Sequence, residues 1–332
     1  MNEFFSRQVQ IFTILASLFL CACAHQQLPA PETVSEVEHF AGGHNTGTFI
    51  NDDGYRIYGQ TWVPAGEQKA IILLVHGTAL HSGTYSHVGK YLASHGYIVH
   101  GTDLQGWGRS EGKASKGYIE SYDEYTQDLQ RVSADLRKKY PTLRLYGMGE
   151  SLGAGVLMYG YLKNALSFDG FLFSGPAFKP NPALLGIRAP EFLNSINMSL
   201  VAGWGNIFPG WPLIPTDLGL KMTIKDPLMQ KQLLNDPNNT HTWLPACYVT
   251  AMVKAMGYLD KNIAKIRIPL YISHGEEDNL IPPSSSQEIY DRVSTNDKVL
   301  NIHKDMHHAT WLEAGRFDIL ADMKNWLDKH YP

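Results

Sequence analysis

The chain alternates short apolar runs with longer amphipathic segments over most of its length. Continuous apolar runs, typical of strands buried on both faces of a parallel sheet, occupy residues 71–75, 97–100, 143–147, 170–174, 268–273 and 299–303. Helical spacing of apolar residues occurs at residues 85–94, 122–140, 152–162, 286–293 and 317–330. A polar turn at 51–54 joins two further strands, 48–50 and 55–63, as a hairpin that opens the sheet. This alternation predicts an α/β fold, with a mostly parallel sheet covered by helices on both faces.

The alternation is interrupted between residues 180 and 265, where prolines are frequent and clean strand patterns are few. This stretch carries an apolar cluster composed of Leu200, Val201, Trp204, Ile207, Phe208, Trp211, Leu213 and Ile214. Such a cluster is most often packed core, while the wall of an apolar pocket and a surface that meets a bilayer are the alternatives. A chain of 332 residues with this pattern favours one large domain carrying an insertion over two equal domains.

The most informative motif is G-x-S-x-G at residues 149–153, which lies between an apolar run and a helical segment. A strand, a tight turn and a helix in this order form a nucleophile elbow, in which a strained turn projects the serine hydroxyl from the edge of the sheet. A serine hydroxyl is a weak nucleophile at neutral pH and needs a base within reach. Ser151 therefore predicts an acid and a histidine later in the chain, in that order.

Two predicted strands are followed by groups that suit these roles. Glu277 and Asp278 follow the run at 268–273, and acids beyond the carboxyl end of a strand lie where α/β sheets bind ligands. Asp278 is the candidate acid, with Glu277 as the alternative. His307 and His308 follow the last strand, and they compete for the role of general base. Adjacent histidines rarely bind one ion, and no other cluster has ligand spacing, so we expect no metal and no cofactor.

A candidate oxyanion hole follows the apolar run at 71–75. In α/β hydrolases, a backbone N–H from the loop after this strand acts together with the N–H of the residue after the nucleophile. In this chain those groups belong to Thr78 and Leu152.

Several motifs together resemble a known family. Residues 76–85 (HGTALHSGTY) match an HG…HSG-x-Y pattern, residues 103–112 (DLQGWGRSEG) match D-x-x-G-x-G-x-S-x-G, and both occur in order with the elbow and the predicted acid and base. From about Gly47 to the end, the chain resembles the monoacylglycerol lipases and their lysophospholipase-like relatives, which share a serine aminopeptidase S33-type domain. The resemblance implies an α/β-hydrolase fold with a helical cap at about 180–265.

The resemblance also implies roles for individual residues. Ser151 would be the nucleophile, Asp278 the acid and His308 the base, because the family pattern places a glutamate, here Glu313, shortly after the catalytic histidine. The implied reaction is hydrolysis of a monoacylglycerol or lysophospholipid through an acyl-serine intermediate. The alternatives are a short-chain carboxylesterase, a thioesterase or an aminopeptidase of the same fold, and a non-catalytic envelope lipoprotein that binds a ligand.

The sequence departs from the family at two positions. Glu150 stands before the nucleophile where the family often has histidine, and Leu80 replaces a glutamate often found before His-Ser-Gly. The departure at Glu150 leaves the substrate preference open. His81 is interpreted as a hydrogen-bonded scaffold residue.

The N-terminus has the layout of an export signal, because Arg7 precedes a largely apolar run at residues 11–20. Residues 20–23 (LCAC) resemble a bacterial lipobox, which would leave Cys23 lipidated after removal of residues 1–22. Ordinary cleavage to a soluble secreted or periplasmic protein and an uncleaved anchor are the alternatives. The preferred interpretation is a lipoprotein of the bacterial cell envelope, held at a membrane surface, with a tether at 23–46 and a hydrolase domain at 47–332. The net charge of −4 argues against a nucleic-acid partner, and nothing indicates an oligomeric state.

Overall fold

A computed structural model describes residues 40–181 and 203–331 of the chain. Its strands are β1 (Gly43–Ile50), β2 (Arg56–Val63), β3 (Ala70–Val75), β4 (Tyr97–Thr102), β5 (Leu145–Glu150), β6 (Gly170–Ser174), β7 (Pro212–Pro215), β8 (Trp243–Pro245), β9 (Leu270–Gly275) and β10 (Lys298–His303). Eight of them form one sheet in the order β1-β2-β4-β3-β5-β6-β9-β10. The pairs β1–β2 and β2–β4 are antiparallel, and every later pair in the sheet is parallel, as the apolar runs predict.

The helices whose full bounds are described are α1 (Ser86–Ser94), α2 (Tyr122–Lys139), α3 (Leu152–Leu162), α4 (Thr216–Thr223), α5 (Pro227–Asn235), α6 (Ala246–Asn262), α7 (Pro283–Arg292) and α8 (Arg316–His330). They cover both faces of the sheet, with α1 packed on α8 and α2 packed on α3. The start of α2 is fixed by a capping box between Ser121 and Glu124, and Pro141 prevents its continuation. Within the described ranges, no helix is both long and apolar enough to cross a membrane.

The first strand begins earlier than the sequence pattern predicts. β1 starts at Gly43, inside the range assigned to the tether, and its register with β2 pairs Gly43 with Val63. Most of its side chains are exposed, so the strand depends on backbone hydrogen bonds at the edge of the sheet and has no apolar pattern to reveal it. The domain boundary predicted at residue 47 is therefore a few residues too late.

The insertion predicted from the interrupted pattern lies between two neighbouring strands. β6 pairs directly with β9, so residues 175–269, which we call the cap, leave the sheet and return to it at the next strand. The described part of the cap contains the antiparallel pair β7–β8 and the helices α4, α5 and α6. Because the cap leaves from the carboxyl end of β6, it begins at the edge of the sheet where ligands bind.

Part of the apolar cluster of the cap is exposed, while Leu213 and Ile214 pack against the core. Four of its members, Trp204, Ile207, Phe208 and Trp211, have exposed fractions between 45% and 69%. The three aromatic rings contact one another and leave their outer faces in solvent. The expectation of core packing is therefore wrong for these side chains, while Ile214 lines a cavity described below.

Some predictions concern residues outside the described ranges. The signal segment at 1–22, the lipidation of Cys23 and the cluster members Leu200 and Val201 are among them.

Candidate active site

Ser151 occupies a strained turn between β5 and α3. Its φ of 49° lies in the left-handed region, which a residue with a side chain rarely adopts. Two close approaches explain the flanking glycines: a Cβ on Gly149 would lie 2.5 Å from the Ala154 nitrogen, and one on Gly153 would collide with the Val75 carbonyl. β5 continues to Glu150, beyond the end predicted from the apolar run, because it pairs with β6 as far as Ser174.

Asp278 and His308 form a buried hydrogen-bonded pair. His308 Nδ1 is 2.6 Å from Asp278 Oδ2, and both side chains are almost completely buried. The same oxygen lies 2.9 Å from Nε2 of His274. The other carboxylate oxygen accepts the backbone N–H groups of Leu280 at 2.8 Å and Ile281 at 3.0 Å. These contacts fix the carboxylate and hold the imidazole with its Nε2 free to face another group.

The pair favours its charged forms. Burial raises the pKa of Asp278, but the charge of His308 and the hydrogen bonds from His274 and His308 outweigh it, so the net pKa lies below the usual value. Burial lowers the pKa of His308, but the charge and hydrogen bond of Asp278 outweigh it, so the net pKa lies above the usual value. Asp278 is therefore a carboxylate at neutral pH, and His308 accepts a proton more readily than a free imidazole.

The alternative candidates for the base and the acid, His307 and Glu277, form a separate, more exposed pair. His307 Nε2 is 3.6 Å from Glu277 Oε2, and Glu277 also accepts a hydrogen bond from the Lys225 ammonium at 2.9 Å. The structure thus brings His308 to Asp278 and leaves His307 with Glu277.

Ser151, Asp278 and His308 converge because they follow β5, β9 and β10 at the same edge of the sheet. Ser174, at the end of the intervening strand β6, connects the turn of Ser151 to the loop that carries His308. Its carbonyl accepts the Ser151 N–H at 3.0 Å, and its hydroxyl accepts the N–H of Thr310 at 3.2 Å. As a result, Ser151 and His308 line one cavity.

The two predicted oxyanion donors, Thr78 and Leu152, belong to the loop after β3 and to the start of α3. Leu152 is the first residue of α3, so its N–H has no partner within the helix and lies at the positive end of the helix dipole. Thr78 lies in the loop after β3, lines the same cavity, and its hydroxyl is 2.5 Å from that of Tyr248 in the cap. Among the described residues, neither N–H donates a hydrogen bond. Both are therefore available to a developing negative charge.

The family motifs around these loops have structural roles. His81 accepts a hydrogen bond from the Gly83 N–H at 3.1 Å and contacts Asp236 of the cap at 3.0 Å, which confirms its interpretation as a scaffold residue. Asp103, the first residue of the D-x-x-G-x-G-x-S-x-G stretch, accepts the N–H groups of Ser82 at 2.7 Å and Arg109 at 2.9 Å. Asp103 therefore joins two loops next to the oxyanion site.

The cavity at Ser151 has a volume of about 190 Å³ and lies between the sheet and the cap. Its wall is mainly apolar, and the cap contributes Ile214, Leu218, Met222, Leu244 and Met252. An apolar cavity with a few polar groups at one end suits a ligand whose reactive group is polar and whose remainder is hydrocarbon. Within residues 40–181 and 203–331, no group of three or more His, Cys, Asp and Glu side chains could hold a metal ion.

The loop that carries His308 is also joined to the cap, and Glu313 makes most of this connection. Its carboxylate accepts the N–H groups of Lys225 at 2.6 Å, His307 at 3.1 Å and Asp226 at 3.3 Å. In the sequence motif, Glu313 serves only to distinguish His308 from His307 as the base. The structure shows that it is almost completely buried and holds the loop directly.

Replacing Glu313 with alanine should weaken both folding and turnover. The change leaves three backbone N–H groups without their charged acceptor, and we expect a loss of about 2 kcal/mol or more in the free energy of unfolding. Displacement of His308 should lower kcat by about tenfold to a hundredfold. Urea unfolding and steady-state kinetics measure the two effects. Glu276→Ala, an exposed acid in the neighbouring loop, is the matched control, and equal behaviour of the two variants would contradict the prediction.

The chain is similar to known proteins over most of its length. Residues 66–315 match the family described as serine aminopeptidase, S33. The chain is 26% identical over 283 residues to a monoacylglycerol lipase of Mycolicibacterium smegmatis, covering 85% of this chain and 96% of that one. It is 26% identical over 320 residues to caffeoylshikimate esterase of Arabidopsis thaliana, covering 90% of each chain.

A solved structure shares the fold. A soluble variant of monoglyceride lipase from Saccharomyces cerevisiae, in complex with a substrate analog, superposes with a TM-score of 0.78 at 22% identity, covering 92% of this chain and 100% of that one. Together with the mostly parallel sheet, this likeness confirms the predicted α/β-hydrolase fold.

Proposed function

The chain belongs to the serine aminopeptidase S33 family, and from this premise we propose that it is a serine hydrolase that cleaves carboxylic esters of lipids through an acyl-serine intermediate. Monoacylglycerols or lysophospholipids are the proposed substrates. The observation that carries the proposal is that Ser151, in a strained elbow, and His308, paired with Asp278, face one apolar cavity.

Each residue of the site has a defined role in acylation. His308 accepts the proton of the Ser151 hydroxyl as the serine oxygen bonds to the ester carbonyl carbon. The carbonyl electron pair moves to its oxygen, and the N–H groups of Thr78 and Leu152 donate hydrogen bonds to this oxyanion. His308 then gives its proton to the departing alcohol as the C–O bond breaks. Asp278 orients the imidazole and stabilises its protonated form.

Deacylation repeats these steps with water. His308 removes a proton from the water molecule as its oxygen bonds to the acyl carbon, and the same two N–H groups hold the second oxyanion. The bond to Ser151 breaks, the serine regains its proton from His308, and the free carboxylic acid leaves.

The chemistry of the cavity favours a lipid ester over an aminopeptidase substrate. An aminopeptidase must bind an ammonium group, which calls for an ionised carboxylate near the nucleophile. Among the described lining residues, the only carboxyl group is that of Glu150, which is 1% exposed and lies against Gly77 of the oxyanion loop, so it is not open to a substrate ammonium group. An acyl chain, in contrast, gains about 0.8 kcal/mol for each methylene that it buries in such a cavity.

The proposal can be tested with p-nitrophenyl esters of graded acyl length, followed by a monoacylglycerol, lysophosphatidylcholine and an aminoacyl p-nitroanilide. We expect kcat/KM to rise with acyl length until the cavity is filled, and the anilide to be a poor substrate. Maximal activity on the acetate ester would favour the short-chain carboxylesterase. Efficient cleavage of the anilide would favour the aminopeptidase. Failure of a folded protein to react with a fluorophosphonate would favour a binding protein.

We also propose that the protein acts at a membrane surface, as an exported envelope lipoprotein anchored through Cys23. The lipobox-like stretch before Cys23 supports the anchor. The exposed aromatic side chains of Trp204, Phe208 and Trp211 in the cap support contact with a lipid surface, where such side chains are enriched. An enzyme held there would receive its substrate directly from the bilayer.

Substitution of Cys23 by serine tests the anchor. Cys23→Ser removes the thiol that would carry the lipid, so we expect the protein to move from the membrane fraction to the soluble fraction of cells. Cys21→Ser, two residues earlier, is the matched control and should leave the distribution unchanged. Retention of Cys23→Ser in the membrane fraction would contradict the lipid anchor and would favour an uncleaved N-terminal segment.

A further inference from the structure

Glu150 is a buried acid, adjacent to the nucleophile, that the acyl-transfer steps do not use. Its side chain is 1% exposed and lines the cavity beside Ser151. One carboxyl oxygen, Oε2, has no hydrogen-bond partner among the described residues. Burying a carboxyl group without full hydrogen bonding is costly, so its presence at this position calls for an explanation.

The Glu150 carboxyl contacts the base of the oxyanion loop. A Cβ added to Gly77 would lie 2.7 Å from Glu150 Oε1, so the loop passes directly over the carboxyl group. The Tyr85 hydroxyl is a hydrogen-bonding neighbour of the same carboxyl. That hydroxyl also accepts the Gly77 N–H at 3.1 Å. Glu150, Tyr85 and Gly77 thus form a chain of contacts from the nucleophile turn to the residue before Thr78.

Glu150 also interacts electrostatically with His308, the general base. The titratable groups that face it are Tyr85 from the turn before α1, Asp278 from the loop after β9 and His308 from the loop after β10. A negative charge on Glu150 favours the protonated imidazole, and it is one of the causes that raise the pKa of His308.

We propose that Glu150 is a positioning residue with two effects, namely that it holds the oxyanion loop through Tyr85 and that its charge strengthens His308 as a base. This inference rests on the proposed function, since it assigns a residue to the same reaction. Both effects follow from the place of one carboxyl group between the nucleophile turn, the oxyanion loop and the histidine loop.

Removing the contact to the loop tests the first effect. Glu150→Leu and Tyr85→Phe each break the chain of contacts, and each should lower kcat by about tenfold to a hundredfold with little change in KM, because the oxyanion donor is misplaced while the acyl cavity remains. If Glu150→Leu fails to fold, Tyr85→Phe, which removes a single oxygen atom, still decides the question. An unchanged kcat in folded variants would overturn the proposed hold on the loop.

Removing only the charge tests the second effect. Glu150→Gln keeps the shape and can still accept a hydrogen bond from Tyr85, so kcat at alkaline pH should stay close to the wild-type value. The acid limb of the kcat/KM profile should move to lower pH by up to about one unit, because His308 loses a favourable negative charge. Tyr85→Phe should leave this limb in place. An unmoved limb in Glu150→Gln would overturn the electrostatic effect.

Asp128→Asn is the matched control for these profiles. Asp128 on α2 is also a buried acid whose pKa burial raises to about 7, but it does not line the cavity. Its replacement should leave the acid limb unchanged, and an equal shift would show that the effect in Glu150→Gln is not local. Fluorophosphonate labelling separates this test from that of the proposed function. If the wild type is not labelled, the proposed hydrolase function is wrong. If the wild type and the variants are all labelled, the kinetic results concern the role of Glu150 alone.

Discussion

Ser151→Ala should lower kcat by about 10⁴- to 10⁶-fold for every ester that the wild type cleaves, because the covalent route disappears with the hydroxyl. The oxyanion donors and the cavity remain, so the variant should still bind substrate, and any residual rate should come from them. Initial rates at high enzyme concentration, together with substrate binding by calorimetry, measure both quantities.

The fold should survive this substitution. Serine and alanine share the Cβ atom, so the strain of the turn at φ 49° is the same in both, and the Ser151 backbone keeps its hydrogen bonds to Ser174 and Ala177. The thermal midpoint should therefore stay near the wild-type value while fluorophosphonate labelling is lost. A variant that keeps its turnover would show that Ser151 is not the nucleophile.

His308→Ala should be almost as severe, with a loss of about 10⁴-fold or more in kcat, because the variant lacks the imidazole that takes the proton from Ser151. The substitution also leaves Asp278 as a buried carboxylate without the positive charge that lowers its pKa. The carboxylate still accepts the N–H groups of Leu280 and Ile281, so folding should be weakened without being lost.

His307→Ala is the matched control, since it removes the same side chain from the adjacent position. Its partner is the exposed Glu277, and the change should alter kcat by no more than about twofold. Kinetics of the two variants on one ester at several pH values decide between them. Inactivity of His307→Ala beside an active His308→Ala would reverse the assignment of the base.

The central strands of the sheet can be predicted from the sequence because they are buried. β3, β5 and β9 are buried on both faces, so they appear as continuous apolar runs. Ser151, Asp278 and His308 could be placed together because each follows such a run, and parallel strands bring their carboxyl ends to one edge.

Other features could not be predicted, because they depend on contacts between distant parts of the chain. β1 is held by its backbone register with β2, and its exposed side chains carry no apolar pattern. The role of Glu313 lies in accepting N–H groups from a loop of the cap, which no local spacing reveals. The exposure of Trp204 and Trp211 could not be predicted from the sequence either, since an apolar cluster has the same sequence pattern in a core and on a surface.

The cap contacts both halves of the reaction centre. Its Thr240 N–H donates to the carbonyl of Ala79 at 2.8 Å in the oxyanion loop, and its Thr223 carbonyl accepts the N–H of Ala309 at 2.8 Å beside His308. Grafting the corresponding segment of a relative onto this chain would therefore change reaction speed along with acyl preference. If laboratory evolution alters the cap to accept new substrates, it should also select changes near residues 79 and 309, because such changes would restore kcat.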